Sequence, residues 1–269
     1  MKGETSQAVF DLRGVTYSYL GRFEALRKVN LKIDSGEQVV IMGANGCGKS
    51  TLLSILDALI YPTEGEFYAF GKRVREEIFD SLRYDEFSGF FRSRVGFVFQ
   101  NSDVQLFSST VFDEVAFGPL QLDLAQDEVK KRVESVMTLV GISGLRDRAP
   151  HTLSNGEKKK VCIASVLAMN PDVLLFDEPS AGLDPRSQSW LIELMQELAG
   201  AGKTIVTASH DLGIVEQISR RAIVFGEDHA IKADDACATI LNDRELLIAT
   251  NLLSPKVRND SASIRFPFA

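Results

Sequence analysis

The chain reads Gly43-Ala44-Asn45-Gly46-Cys47-Gly48-Lys49-Ser50-Thr51 at the position from which its architecture can be predicted. An apolar run at residues 38–42 precedes this segment and predicts a buried strand, and leucine and isoleucine recur at helical spacing over residues 52–60 behind it. A strand, a glycine-rich loop and a helix in this order are typical of a phosphate-binding loop. The glycines let successive backbone N–H groups point at phosphate oxygens, and the helix adds the positive end of its dipole.

Lys49 and Ser50 carry the chemistry predicted for this loop. A lysine here brings an ammonium to the β- and γ-phosphates, and the serine hydroxyl is placed to bind Mg²⁺. The alternative is a glycine-rich turn without a chemical role, whose four fixed positions would match by chance in roughly one chain of this size in a hundred. The loop therefore predicts binding of a nucleoside triphosphate, and the kind of protein has to be inferred from the rest of the chain.

Composition and charge exclude several classes of protein. The chain has 269 residues, enough for one large domain with an inserted subdomain, and its formal net charge is −7. Without a basic surplus we expect no nucleic-acid partner. The three cysteines match no metal-ligand spacing and no disulfide framework, which fits a reducing cytoplasm. No apolar run approaches the roughly 20 residues that span a bilayer, so any membrane role is expected to depend on a partner.

Strand and helix patterns alternate along the chain, which predicts an α/β fold with a mostly parallel sheet. Besides residues 38–42, strands are predicted at 8–19, 26–33, 66–70, 94–100, 173–176, 204–208 and 222–225. Residues 72–92 are charged and uneven, so we expect an exposed connection there. Residues 255–269 are expected to form a surface-lying or mobile tail.

Residues 110–141 are predicted to be helical. Their apolar stripe consists of Val129, Val133, Val136, Met137 and Val140. We therefore expect a helical subdomain at about residues 101–165, inserted into a core of about residues 8–100 and 166–230. A short C-terminal helical extension and tail would follow at residues 231–269.

Two carboxylates follow the apolar run at residues 173–176. Parallel sheets bind ligands at the carboxyl ends of their strands, so Asp177 and Glu178 are expected beside the phosphate-binding loop. Asp177 is then the predicted Mg²⁺ partner of Ser50, and Glu178 is positioned to polarise a water molecule against the γ-phosphate. The alternative, a buried strand capped by solvated acids, is disfavoured by the presence of the loop.

Ser154, Asn155, Gly156 and Glu157 precede a predicted helix. Ser-x-x-Glu is a capping box, in which two side chains satisfy backbone N–H groups, and a helix N-terminus is also an anion site, so both roles are compatible. Residues 158–160 are lysines in the first turn, where the helix dipole disfavours cations. Either they compensate Glu157 or they form a solvated face.

The segment Leu153-Ser154-Asn155-Gly156-Glu157 resembles the signature motif of ATP-binding-cassette (ABC) ATPases, usually Leu-Ser-Gly-Gly-Gln. The resemblance implies a P-loop ATPase domain over residues 8–250, with antiparallel strands near the N-terminus and an inserted helical subdomain. In that family the signature of one subunit contacts the γ-phosphate of ATP bound by the other. Asn155 departs from the usual glycine but tolerates positive φ. Glu157 departs from the usual glutamine and adds negative charge where the nucleotide approaches.

Four further positions match motifs of the same family. Gln100 matches the Q-loop glutamine, which reaches Mg²⁺ and the attacking water. Asp184 matches the D-loop that crosses the dimer interface, although Asp184-Pro185 also fits a helix N-cap and first helical residue. His210 matches the switch histidine that holds the γ-phosphate. Tyr19 matches the aromatic residue that stacks on adenine, with a half-buried strand tyrosine as the alternative.

Residues 99–119 and 243–252 resemble the energy-coupling-factor ATPases, which drive uptake of cobalt, nickel or vitamins. The resemblance implies a groove for a transmembrane coupling protein near Asp103, Gln105, Leu106 and Phe107, or else these residues serve ordinary packing. It also implies ATP and Mg²⁺ as cofactors, a dimer with itself or a paralogous ABC ATPase, and a substrate-binding membrane protein. The chain would lie peripherally on the cytoplasmic face of the membrane.

Four other ABC classes compete with this interpretation. An exporter or a binding-protein-dependent importer is the nearest alternative, and a soluble assembly or regulatory cassette is a second. A cassette that acts on DNA needs a long coiled coil between the loop and the signature. Only about a hundred residues without sustained heptads separate Ser50 from Ser154, which disfavours that class.

Overall fold

The computed structural model describes residues 8–79, 85–122 and 124–254. The strands are β1 (Ala8–Tyr19), β2 (Phe23–Asp34), β3 (Gln38–Met42), β4 (Glu64–Ala69), β5 (Lys72–Arg73), β6 (Val95–Val98), β7 (Val173–Asp177), β8 (Thr204–Ala208), β9 (Arg221–Phe225) and β10 (Ile231–Ala236). The α-helices are α1 (Lys49–Leu56), α2 (Glu76–Phe79), α3 (Glu86–Arg94), α4 (Val111–Phe117), α5 (Gln126–Leu139), α6 (Asn155–Leu167), α7 (Pro185–Gly200), α8 (Leu212–Ile218), α9 (Cys237–Asn242) and α10 (Arg244–Ala249).

The larger sheet has six strands in the order β10-β9-β3-β8-β7-β6, and all but β10 run parallel. Val173 and Leu175 of β7 join the apolar cluster around α1, whereas Leu174 and Phe176 join the cluster around α6 and α7. Alternate residues of a strand point to opposite faces, so helices cover both faces of this sheet. The predicted α/β fold is confirmed. Because β8 lies between β3 and β7, the loops that leave these three strands meet at one edge.

A smaller antiparallel sheet, in the order β2-β1-β4-β5, confirms the antiparallel strands expected near the N-terminus. Its inner face contributes Phe10, Leu26 and Phe67 to the cluster that contains Leu52 and Leu53 of α1. All five side chains are buried, and full burial of one such side chain contributes about 1.5–3 kcal/mol. The helix behind the phosphate-binding loop is thus held between two sheets.

The helix predicted at residues 110–141 forms in two pieces, α4 and α5. On α5, Val129, Val133 and Met137 are buried, while Val136 of the predicted stripe is only partly covered. These side chains share one apolar cluster with α6 and β7, so the helical region packs directly on the larger sheet. The boundaries of the helical subdomain stay a prediction.

The exposed connection predicted at residues 72–92 is wrong. Apart from residues 80–84, which lie outside the described part of the chain, this region forms β5, α2 and α3. Asp85 caps α3 by accepting hydrogen bonds from two backbone N–H groups of its first turn. Phe87 and Phe91 are buried one helical turn apart. Residues spaced by four share one helix face, and here the surrounding charges hide that face in the sequence.

The C-terminal extension begins with a strand and not with a helix, which corrects the prediction for residues 231–269. Strand β10 pairs with β9, and Nε of Arg221 donates to Asp234 at 2.7 Å. An edge strand needs no continuous apolar run, so its sequence gives little signal. Helices α9 and α10 follow, and the predicted tail at residues 255–269 lies outside the described residues. Within the described ranges, no helix is both long and apolar enough to cross a bilayer.

Candidate active site

The phosphate-binding loop connects β3 to α1. Gly48, the N-cap residue of α1, has φ 111°, and a Cβ there would lie 2.2 Å from the carbonyl oxygen of Ala25 on β2. The left-handed backbone and the close approach both require glycine. The buried ammonium of Lys49 turns back into the loop and donates to the carbonyl oxygens of Gly43 at 2.9 Å and Ala44 at 3.2 Å. The loop therefore holds a cation at its centre.

Asp177 and Glu178, at the end of β7, lie beside this cation. Each residue is 6% exposed, and Nζ of Lys49 lies 3.7 Å from Oε1 of Glu178. Burial raises the pKa of Asp177, and a hydrogen bond from the Ser50 hydroxyl opposes that rise. The sheet thus brings the two acids and the loop together, as expected for the ends of neighbouring parallel strands.

Oδ1 of Asp177 is buried without a hydrogen-bond partner in the described ranges. An unsatisfied buried oxygen in a folded protein calls for an explanation, and a site for a cation is one. With the Ser50 hydroxyl it forms a pair of hard oxygen ligands of the kind Mg²⁺ prefers. Asp177 and Ser50 therefore fit Mg²⁺, and the exposed Gln100, which lines an open cleft together with Ser50, is the third candidate ligand. The assignment of these three ligands stays a prediction.

Glu178 is held in place by contacts with Lys49, His210 and Ala208. Oε1 lies 2.8 Å from Nδ1 of His210, which follows β8, and the backbone N–H of Glu178 donates to the carbonyl of Ala208 at 2.9 Å. Its φ is 42°, a left-handed conformation that is uncommon outside glycine and clusters at functional sites. The carboxylate is thereby aimed at Lys49 and His210. The His210 side chain remains half exposed on its other side.

An open cleft of about 570 Å³ lies over these groups, within the volume range of small-molecule sites. The sequence-predicted residues that line it are Tyr19, Asn45, Gly46, Gly48, Lys49, Ser50, Thr51, Gln100, Glu178 and His210. Cys47 is buried beneath the loop, where burial raises the pKa of its thiol. Residues 154–157 and Asp184 are not among the lining residues of this cleft.

Tyr19 ends β1 at the mouth of the cleft. Its side chain is 44% exposed, and its hydroxyl lies 3.2 Å from Oγ1 of Thr51. The ring of Tyr17 meets it edge-on at 4.9 Å between centroids. An exposed, anchored ring is suited to stacking on a base, and this role of Tyr19 stays a prediction.

Sequence reasoning missed His229 and Phe23, which also line the cleft. Nδ1 of His229 lies 3.3 Å from the carbonyl oxygen of Cys47, and the His229 carbonyl accepts from the N–H of Arg27 at 2.9 Å. His229 sits in the turn between β9 and β10, with φ 62°. Nothing in the local sequence indicates this role, because only the pairing of β9 with β3 brings the turn to the loop.

The capping box at the start of α6 is confirmed. Oγ of Ser154 accepts from the N–H of Glu157 at 3.3 Å, and Oε2 of Glu157 accepts from the N–H and the hydroxyl of Ser154 at 2.8 and 2.9 Å. Hydrogen bonds from the backbone and then the hydroxyl of Ser154 lower the pKa of Glu157. The signature loop therefore carries a charged carboxylate at its surface. Its contact with a partner's nucleotide stays a prediction.

Asp184 caps α7, as its N-cap interpretation predicts. Its carboxylate accepts from the N–H of Ser187 at 3.0 Å and from the hydroxyl of Ser187 at 2.8 Å. A Cβ on Gly156 would lie 2.9 Å from Oγ of Ser187 and 3.9 Å from Oδ2 of Asp184. The signature loop and the D-loop residue are thus neighbours, and the role of Asp184 at a dimer interface stays a prediction.

The three lysines that follow the signature have separate partners, so neither compensation of Glu157 nor a solvated face describes all three. Lys158 pairs with Asp103 at 2.7 Å, and the ammonium of Lys160 lies 4.5 Å from the ring centroid of Trp190. Lys159 is buried and bonds to backbone carbonyl groups. Only Lys160 contributes to the lowered pKa of Glu157, as a minor cause behind Ser154.

Comparison with known proteins places this arrangement in a family. The family model described as ABC transporter matches residues 26–181. A relative from Methanosarcina acetivorans whose name describes an ABC transporter ATP-binding protein is 61% identical over 91% of this chain and 89% of its own. The energy-coupling factor transporter ATP-binding protein EcfA of Methanothermobacter thermautotrophicus is 41% identical over 92% and 77%. The nickel import ATP-binding protein NikO of Rhodobacter capsulatus is 43% identical over 91% and 95%.

Solved structures show the same likeness. The structure of cbiO1 from Clostridium perfringens, part of the ABC transporter complex cbiONQ, has a TM-score of 0.76 at 34% identity and covers 93% of this chain and 97% of its own. The ATP-binding cassette MJ0796, solved as a dimer in a post-hydrolysis state with ADP and phosphate, has a TM-score of 0.75 at 29% identity over 85% and 98%. This chain belongs to the ABC transporter family, as an ATP-binding and ATP-hydrolysing subunit.

Proposed function

We propose that this ABC ATPase drives an importer of the energy-coupling-factor type, which takes up a transition metal ion, cobalt or nickel, or a vitamin. The relatives named for energy-coupling-factor transport and nickel import support this function, as does the likeness to cbiO1 of the cbiONQ complex. The chain would be a peripheral subunit on the cytoplasmic face of the membrane. Its partners would be a transmembrane coupling protein and a substrate-binding membrane protein.

An exposed aromatic pair carries the proposal. Phe107 is 67% exposed and Phe117 is 48% exposed, and their rings meet edge-on with centroids 4.8 Å apart. Val104 and Leu120, on neighbouring turns of the chain, are exposed as well. Exposed apolar side chains grouped in this way mark an interaction surface, here suited to an apolar helix of a coupling protein.

The aromatic pair is held in place from below. Oε2 of the buried Glu114 accepts from the backbone N–H groups of Phe107 at 2.9 Å and Ser108 at 2.7 Å. A buried carboxylate with two such bonds fixes the local backbone. Phe107 is therefore presented at the surface by an ordered loop, and its exposure is a property of the fold.

The four residues expected at the groove divide into two groups. Gln105 turns inward, where its Oε1 accepts from the N–H of Phe99 at 3.0 Å, and Leu106 packs against the core cluster. These two serve subdomain packing, the alternative that the sequence left open. Asp103 and Phe107 are exposed; the Asp103 carboxylate pairs with Lys158, and the Phe107 ring is available to a partner.

In the cleft we assign the triphosphate to the loop around Lys49, and Mg²⁺ to Ser50, Asp177 and Gln100. Mg²⁺ held by these residues would supply positive charge to the triphosphate. Glu178 then accepts a proton from the attacking water, because its carboxylate is fixed at the carboxyl end of β7. The half-exposed ring of His210 steadies the γ-phosphate.

A second subunit completes each site in this proposal. Residues 154–157 do not line the cleft, so the signature loop of one subunit would meet the γ-phosphate held by the other. Because Glu178 and His210 are both present, two copies of this chain suffice chemically, and a paralogous cassette is the alternative partner. ATP binding would close the dimer, hydrolysis would reopen it, and the coupling protein would convert the motion to transport.

Substitution of the aromatic pair tests the proposal. The wild-type chain should co-purify from detergent-solubilised membranes of its own cells with a small multi-span protein and a metal- or vitamin-binding membrane protein. Phe107→Glu should abolish that association and leave ATP binding intact, whereas Leu139→Glu, at an exposed leucine of α5, should retain it. Mass spectrometry that finds only soluble partners would instead assign the ATPase to assembly or regulation.

A further inference from the structure

Lys159 is a buried cation that no motif accounts for. It is 3% exposed, and its Nζ donates to the backbone carbonyl oxygens of Phe99 and Gln100, both at 2.9 Å. A buried ammonium is tolerated only where it is hydrogen-bonded. Lys159 thus binds the main chain of the candidate Mg²⁺ ligand Gln100 from a helix 55 or more residues away in sequence.

Two further side chains of α6 bind the same segment. Lys158 pairs with Asp103 at 2.7 Å, and the thiol of Cys162 lies 3.8 Å from the carbonyl oxygen of Ser102. Three successive anchors therefore hold residues 99–103 against one end of α6. Because α6 begins at the signature loop, any displacement of that helix is transmitted to Gln100.

The charge of Lys159 also interacts electrostatically with Asp177 at the end of β7. Burial lowers the pKa of Lys159, and the nearby carboxylate of Asp177 opposes this change. An apolar side chain of the same length would fill the space but would remove the donor that binds the carbonyl oxygens of Phe99 and Gln100. The ammonium of Lys159 therefore fixes the main chain at Phe99 and Gln100, the segment that carries the candidate ligand.

We propose that Lys159 is a positioning residue that sets Gln100 against Asp177 at the Mg²⁺ site and joins that site to the signature helix. The inference rests on the proposed roles of Gln100, Asp177 and the signature loop. In this proposal α6 connects the two sites. The first turn of α6 faces the partner's nucleotide, and Lys159 holds the metal ligand Gln100 of the same subunit.

Lys159→Met tests the link, with Lys160→Met as its matched control in the same helical turn. Lys159→Met should raise the Mg²⁺ concentration for half-maximal ATP hydrolysis about tenfold, the lower end of the usual effect of removing a group that orients a metal ligand. Affinity for ATP in EDTA should stay within about twofold, because the phosphate-binding loop is untouched. Lys159→Gln keeps a donor group, the amide NH2, and should recover part of the loss, and Lys160→Met should resemble the wild type.

The outcomes separate the link from the function on which it rests. A wild-type chain without Mg²⁺-dependent hydrolysis would overturn the proposed site and the link together. An active wild type, with Lys159→Met and Lys160→Met showing the same Mg²⁺ dependence, would overturn the link alone. Should Lys159→Met lose its cooperative thermal unfolding, Lys158→Met serves instead. A shift of about two- to threefold in its Mg²⁺ dependence supports the link, and no shift overturns it.

Discussion

Two helix N-termini of this chain carry a motif glycine, Gly48 at the N-cap of α1 and Gly156 in the first turn of α6, and they differ in how their backbone N–H groups are used. Helix α1 begins after Gly48, which has no side chain to cap it, and Lys49 fills the loop with positive charge. Helix α6 begins with the Ser154–Glu157 capping box, which adds a carboxylate. A helix N-terminus favours anions, and a charged cap competes for that field. From this comparison we expect stronger phosphate binding at the N-terminus of α1 than at that of α6.

Glu178→Gln beside α1 and Glu157→Gln on α6 are matched substitutions that should differ most in their effects. At the α1 site, Glu178→Gln should abolish hydrolysis, with a loss of about 10²–10⁴-fold, because the water loses its proton acceptor. ATP binding should persist and stabilise a dimer. Phosphate release and light scattering measure both properties, and full activity in this variant would remove Glu178 from the mechanism.

Glycine-to-alanine substitutions compare the backbones of the two ends. Gly48→Ala should reduce the free energy of unfolding by about 2 kcal/mol or more, because φ is 111° and the added Cβ would lie 2.2 Å from a carbonyl oxygen. Gly156→Ala meets only Oγ of Ser187 at 2.9 Å, a movable atom, and should cost about 1 kcal/mol or less. Denaturant unfolding measures both, and equal losses would show that the two loops are equally constrained.

Glu157→Gln removes the charge at α6 and keeps the shape of the cap. We expect the ATP-dependent dimer to tighten about two- to fivefold, because one negative charge leaves the surface that approaches a triphosphate. Hydrogen bonds from Ser154 lower the pKa of Glu157 below its ordinary 4.5. Its contribution to stability is therefore present above that value and lost as the pH falls through the folded pKa. Sedimentation should show the same difference in dimer affinity between wild type and variant at pH 6 and at pH 8. If the variant dimerises as the wild type does, the charge of Glu157 does not weaken docking at the N-terminus of α6.

His229→Ala tests a small contribution to the α1 loop. The imidazole lies 3.3 Å from the carbonyl oxygen of Cys47, so its loss should raise the KM for ATP about two- to threefold and leave kcat nearly unchanged. The control is His151→Ala, an exposed histidine in a 3₁₀ turn. Equal KM values for the two variants would show that His229 does not contribute to ATP binding.

The sequence analysis succeeded where chemistry and local order coincide. The strand, loop and helix around Lys49, the acids after β7 and the capping box each occupy a few consecutive residues whose types are set by one local geometry. It failed where packing over long distance decides. The buried face of α3, the edge strand β10 and the contacts of Lys159 and His229 depend on elements far apart in the chain, so no local pattern marks them.

The internal bonds of Lys49 have a consequence for the rate of nucleotide exchange. Because the ammonium already binds Gly43 and Ala44, an arriving triphosphate exchanges partners on one side chain and does not have to order a loop. Ordering a mobile side chain on binding costs about 0.5–1.5 kcal/mol, which such preorganisation avoids. Departure of the product reverses the exchange and returns the cation to its own carbonyl groups. Because the loop is already ordered before a triphosphate arrives, we expect nucleotide exchange not to be limited by loop ordering.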